Sequence, residues 1–197
     1  PRLSEIAPAH ARNFLEDGYS RMLLDKESLC HRLTECDVLP HWDPSLARNR
    51  RLYVRLLKLL HSKGMLTFLD EDERREEVGI FFVAKKSGQL RLIIDARRSN
   101  LHFASPPGVS LVTAEGLARI EVEGADALGR EATAGFTLGT SDISDAFHRF
   151  RIDRELSAFF CMRAVQAQEV GLTGFELNGV PVQASHLLVP ACAALPM

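Results

Sequence analysis

The sequence predicts an α+β fold, and three features carry that expectation. Residues 43–64 place apolar side chains at helical spacing, residues 78–84 and 90–95 are rich in β-branched and aromatic side chains around a glycine turn, and residues 136–143 have the same strand character. The composition allows such elements to close around a core, since 46% of the 197 residues are hydrophobic and 25% are charged.

Taken in order, a helical region is expected over much of residues 4–33. Asp43-Pro44-Ser45 then makes a helix start, with an N-cap acid and proline in the first turn, and Gly64 makes the stop. Leu52, Leu56, Leu59 and Leu60 form the predicted inner face of this helix, leaving Arg48, Arg51, Arg55 and Lys58 on or beside the outer one. Residues 48–63 hold six Lys or Arg, one His and no acid, whereas residues 70–77 are mostly acidic. Two readings of the basic helix are open: a solvated face on a core helix, or a surface that tracks a nucleic-acid backbone. Next comes a β-hairpin whose tip, Lys85-Lys86-Ser87-Gly88-Gln89, is basic and contains the glycine a tight turn needs. Residues 97–100 end the strand pattern and residues 106–108 mark a loop. Residues 124–135 read as a surface insertion, residues 136–143 as a strand running up to an acid, and residues 146–150 as the turn at its end. This divides the chain into a helical region, 1–77, and a second region, 78–197.

Several classes are excluded. Twenty-four Lys and Arg against 26 Asp and Glu give a net charge of −2, so a histone-like polycation is ruled out and any nucleic-acid contact must be local. There is no apolar run of membrane-spanning length, and the first residues lack the basic and apolar regions of a signal peptide, so an intracellular location, cytoplasm or nucleus, is expected. Cys30, Cys36, Cys161 and Cys192 are too scattered for a disulfide scaffold. Cys30, His31, Cys36 and His41 cluster in sequence without the paired spacing of a zinc site. Neither a P-loop, a dinucleotide-binding glycine pattern nor a Gly-x-Ser-x-Gly elbow occurs.

Two segments carry chemistry. In residues 82–100, Lys85 and Lys86 at a hairpin tip, with Arg91 on the return strand, are placed to clamp a polyphosphate. In residues 141–152, Asp142 ends a strand, where a hard oxygen ligand can meet Mg²⁺, and an aromatic ring follows five residues later. Together they point to phosphoryl transfer on a nucleotide.

In this order and spacing the segments resemble reverse transcriptases of the retroelement type. Lys85, Lys86, Gly88, Arg91, Asp95, Arg97 and Asn100 match the family's fingers pattern, and Asp142, Asp145, Ala146 and Phe147 match its palm motif Asp-x-x-Asp-Ala-[Phe/Tyr]. Residues 154–160 resemble the segment that re-enters the palm sheet, and Leu195-Pro196-Met197 is similar to the start of the next motif. The resemblance covers roughly residues 78–197. It implies right-hand polymerase fingers and an incomplete palm: a helical N-terminal part, a fingers hairpin and a partial antiparallel palm sheet. It also implies roles. Asp142 would be the catalytic metal ligand with the backbone carbonyl of Ile143 beside it, and Mg²⁺ the cofactor. Lys85, Lys86, Arg91, Asp145 and Phe147 would bind the incoming deoxynucleoside triphosphate, with Phe147 under the sugar as the gate against a 2′-hydroxyl. Asp95, Arg97 and Asn100 would lie near the template, and the partners would be an RNA or DNA template with its primer.

One departure matters. Polymerases of this type hold two metal ions with a second carboxylate cluster, Tyr-x-Asp-Asp, and no such motif occurs in these 197 residues. The expectation is therefore a piece of an RNA-directed DNA polymerase that adds deoxynucleotides in its complete form, with a non-catalytic remnant that binds nucleic acid weakly as the alternative. An open palm would also leave the apolar residues 187–197 without cover.

Overall fold

A computed structural model describes residues 5, 9, 12, 20–105, 113–119, 139–140, 142 and 146–194. The chain forms two compact units. One comprises Pro1–Ala104 with Asp145–Met197, and the other Ser105–Ser144. The first unit is a mixed α+β structure with small antiparallel sheets, so the predicted class holds at that level.

The first unit opens with helix α1, Lys26–Glu35, capped by Asp25, whose carboxylate accepts from Ser28 N at 2.9 Å. Residues 5, 9 and 12 of the expected helical region are helical as well, and the region is interrupted over residues 20–25. Ser20–Met22 is a 3₁₀ turn, and Leu23 then pairs as a β-bridge with Phe103. The rest of the expected region before residue 20 lies outside the described residues, apart from single positions.

The helix expected over 43–64 is two helices, α2 at Pro44–Arg48 and α3 at Arg50–Ser62. Asn49 breaks them apart. Its backbone N–H closes α2 on Ser45 O, while its side-chain oxygen accepts from Leu52 N at 3.1 Å and starts α3. The inner face of α3 is also rotated from the one predicted: Tyr53, Leu57 and Leu60 are buried, whereas Leu52 and Leu59 are 38% and 56% exposed. Tyr53 sets the rotation, because its hydroxyl donates to Arg163 O at 2.7 Å and its ring meets Trp42 edge-on.

Strand β1, Leu66–Leu69, pairs antiparallel with a late strand, Leu187–Cys192, in the register Leu66 to Cys192 through Leu69 to Val189. The other edge of that late strand takes β4, Val165–Gln166, completing a three-stranded sheet. Residues 188–192 are all buried, so for this part of the apolar stretch 187–197 the expectation of no cover is corrected: β1 and β4 flank it, and the core closes over it, while Leu187 is exposed and residues 195–197 lie outside the described residues. Pro190 is tolerated at this central position because its carbonyl faces Met162 N, at 2.7 Å, and its missing donor falls on that same side. There residues 160–162 pair by an isolated bridge and single hydrogen bonds, not a continuous ladder.

Strands β2, Gly79–Ala84, and β3, Leu90–Asp95, form the predicted hairpin with Gly79 opposite Asp95 and Ala84 opposite Leu90. The chain turns after β3 into α4, Arg97–Asn100. In the second unit, helix α5, Ala114–Ala118, opens with Gly116 N donating to Thr113 Oγ1 at 3.0 Å. Back in the first unit, α6, Ala146–Arg149, occupies the expected turn, and α7, Arg154–Ser157, precedes β4. The expected strand at 136–143, the loop at 106–108 and the insertion at 124–135 fall wholly or almost wholly outside the described residues.

Ion pairs tie early residues to late ones. Arg154 donates through Nε and Nη2 to Glu73 at 2.7 and 2.5 Å and through Nη1 to Phe68 O. Burial raises the Glu73 carboxyl's pKa, but the hydrogen bonds from Arg154 and the Asp70 backbone outweigh it and hold it below the ordinary range. With β1 from before residue 77 paired to a strand from beyond residue 186, the first unit draws on both of the regions read from sequence. Among the described residues no helix is long and apolar enough to cross a membrane.

Candidate functional site

The hairpin positions the residues expected to bind a triphosphate. Lys85 N donates to Gln89 O at 2.8 Å and Gly88 N to Lys85 O at 2.9 Å, with Gly88 in the left-handed region at φ 79°. Lys85, Lys86 and Arg91 are all exposed at or beside this tip. Alternation along β3 places Arg91, Ile93 and Asp95 on one face, opposite Val83, Phe81 and Gly79 of β2. That face runs from the basic tip down into a cleft.

The cleft has a volume of about 680 Å³. Its apolar walls come from Phe81 and Ile93 of the hairpin, Met22 and Phe103 of the flanking segments, Leu156 of α7 and Phe160 just beyond it. Its polar groups are His41, Asp95, Arg97 and Asn100. Three residues read as template-proximal therefore share one concave surface, in the arrangement of apolar walls with few polar groups that ligand sites use.

Asp95 is the hub of that rim. Its carboxylate is buried at 6% exposure and accepts from Arg97 Nε at 2.8 Å, Arg97 Nη2 at 2.7 Å and His41 N at 2.8 Å. The side-chain hydrogen bonds of Arg97 dominate, outweighing burial, and hold the Asp95 carboxyl down at about 2. An acid with both oxygens committed this way positions its neighbours and does not transfer protons near neutrality. Arg97, 64% exposed at its side chain, keeps Nη1 outside that bidentate pair and available to a ligand. Asn100 is exposed at the end of α4.

The opposite wall was not legible in the sequence. His41 packs against β2 because Gly79 has no side chain: a Cβ there would overlap the His41 backbone, carbonyl included. Asp43 N donates to Ile80 O at 2.7 Å and continues the contact. A glycine inside an otherwise β-branched run is the one sequence signal of that close approach. The His41 ring also meets Phe81 edge-on at 5.1 Å, and His31 pairs with Glu35 at 3.1 Å.

The residues that match the second motif, Asp142 to Phe147, are less fully described. Asp142 is exposed and belongs to the second unit. Ile143 and Asp145 lie outside the described residues, and Phe147 is on α6 with its side chain outside them. Among the described residues no group of three or more His, Cys, Asp or Glu could hold a metal ion. Asp142 has the oxygen chemistry Mg²⁺ takes, but one carboxylate does not make the site. The buried thiols offer no alternative, since burial pushes both Cys161 and Cys192 up to about 12. No protein-family model and no curated protein matches the chain.

Proposed function

We propose that this chain is the fingers and part of the palm of a reverse transcriptase of the retroelement type, an RNA-directed DNA polymerase. The observation that carries the reading is the run Lys85, Lys86, Gly88, Arg91, Asp95, Arg97 and Asn100 in the family's order, with its first members at a hairpin tip and its last three around one cleft. Either motif alone would be weak; the fingers pattern followed by Asp142, Asp145, Ala146 and Phe147 is not.

On this reading Lys85, Lys86 and Arg91 hold the triphosphate of an incoming deoxynucleotide by charge-assisted hydrogen bonds. The resemblance gives Phe147 the role of the gate that would exclude a 2′-hydroxyl by overlap. The Asp95–Arg97 pair presents a rigid guanidinium to the template, with the apolar cleft wall behind it. The resemblance gives Asp142 and the Ile143 carbonyl the role of holding Mg²⁺ and Asp145 that of binding the nucleotide, and the ion would supply positive charge for in-line attack on the α-phosphate.

The second reading is a non-catalytic remnant that binds nucleic acid weakly, for which the exposed basic residues of α3 and of the hairpin tip would serve. Sequencing the gene beyond the codon for Met197 separates the two: an in-frame Gly followed by Tyr-x-Asp-Asp supports the enzyme, and a stop codon supports the remnant. In the longer polypeptide, Asp142→Asn is expected to abolish incorporation of both sugar types, while Phe147→Ala lowers discrimination against ribonucleotides. If Phe147→Ala leaves the ratio of deoxynucleotide to ribonucleotide incorporation unchanged while Asp142→Asn still stops the reaction, Phe147 is not the gate.

A further inference from the structure

The outer face of α3 is a second charged surface, and the polymerase chemistry proposed above makes no use of it. The fold sorts the cations of residues 48–63. Arg50 is committed, with Nε and Nη2 on the Glu169 carboxylate at 2.8 and 2.6 Å and Nη1 on Ala164 O at 3.0 Å. Arg51, Arg55 and Lys58 are exposed, and none enters an ion pair or hydrogen bond among the described residues. At about 100° per residue the three lie within about 60° of one another around the helix, and at about 1.5 Å per residue they span about 10 Å along it. Leu52 and Leu59, 38% and 56% exposed, stand two turns apart on one flank of this stripe.

We infer that this face binds a nucleic-acid single strand, with successive phosphates against Arg51, Arg55 and Lys58 and the sugars and unstacked bases against Leu52 and Leu59. A row of cations with no acid between them is complementary to a polyanion, and its length matches about three phosphates. The leucine shoulder adds an apolar surface that a single strand can cover and a duplex, with its bases stacked inside, cannot. An anionic lipid surface fits less well. Lipid insertion needs a broad apolar face, and the one on α3, Tyr53, Leu57 and Leu60, is already buried in the core. The inference is independent of the polymerase reading, since it needs neither Asp142 nor the hairpin.

The test is a fluorescence anisotropy titration of the chain with a labelled single-stranded oligonucleotide of mixed sequence, at about 50 mM and about 200 mM salt. Arg51→Gln, Arg55→Gln and Lys58→Gln together should reduce the slope of log affinity against log salt by about 2, from three contacts at about 0.7 each, and weaken binding at the lower salt by about tenfold or more. Leu52→Ser with Leu59→Ser should weaken binding severalfold at both salts with the slope unchanged. All five positions are exposed, so an unchanged thermal midpoint verifies that the variants fold. Triple-variant binding equal to the parent's, or loss only on Lys85→Gln with Lys86→Gln, would overturn the assignment. So would tighter binding to phosphatidylserine vesicles than to the oligonucleotide, or a preference for duplex. Because the readout is binding and not incorporation, its failure leaves the polymerase reading to be judged on its own experiment.

Discussion

The carboxylate of Asp95 is held below its ordinary value by Arg97, and this has a sign that can be measured. Its folded value is about 2 against 3.8 for the free group, so the pair contributes stability above about pH 4 that fades as pH falls toward 2. The size is about 2 kcal/mol, since each tenfold change in proton affinity is worth about 1.4 kcal/mol. Asp95→Asn is expected to cost about that much near pH 6 and much less near pH 2, measured as urea midpoints at the two values. Glu73 and Glu76 are also held low, by arginine and backbone partners and by His102, against the raising effect of burial. They titrate in both proteins, so the difference between parent and variant isolates Asp95. An equal cost at both pH values would show that Asp95 acts through packing and not through its charge.

At the scale of elements, two residues decide boundaries that the apolar pattern does not mark. Asn49 ends one helix and begins the next, and Asn49→Ala should lower stability by about 1 kcal/mol through the lost cap to Leu52 N. The rotation of α3 should survive that change, because Tyr53 and Trp42 set it. Gly79 admits His41 to the hairpin, and Gly79→Ala should cost roughly 3 kcal/mol, since the backbone of residues 41–43 has to move away from β2. The same variant should weaken any ligand of the cleft, as its His41 wall shifts with that backbone. Equilibrium unfolding of both variants checks the ranking, and a Gly79→Ala protein as stable as the parent would remove the close approach.

Across the whole molecule, the strand Leu187–Cys192 is what joins early and late sequence. Deleting residues 187–197 leaves both Leu66–Leu69 and Val165–Gln166 without their partner, and the shortened chain should lose its cooperative unfolding transition. A sharp transition in that variant would mean the hairpin region folds independently. The 197 residues by themselves should show no template-dependent primer extension, because Asp142 alone does not hold two metal ions. Incorporation by a pure preparation would overturn the argument from the missing carboxylates.

The hairpin was determined by sequence alone. Alternating β-branched residues, a glycine able to adopt φ 79° and a basic tip are local properties, and local chemistry specifies them. The Asp43 cap, whose carboxylate takes Ser45 N at 2.8 Å, and the exposed cations of α3 are local in the same sense. What the tertiary structure decided is everything that depends on a distant partner. The inner face of α3 turned because of Arg163, the cleft acquired its far wall because His41 fits over Gly79, and the Asp95 carboxyl lost its freedom to titrate near its ordinary value because Arg97 and the His41 backbone meet on it. The apolar run 188–192 is the plainest case. Sequence marks it only as apolar and leaves it without cover; its pairing with Leu66–Leu69, more than a hundred residues earlier, and with Val165–Gln166 is what buries it, and only the closed sheet shows that.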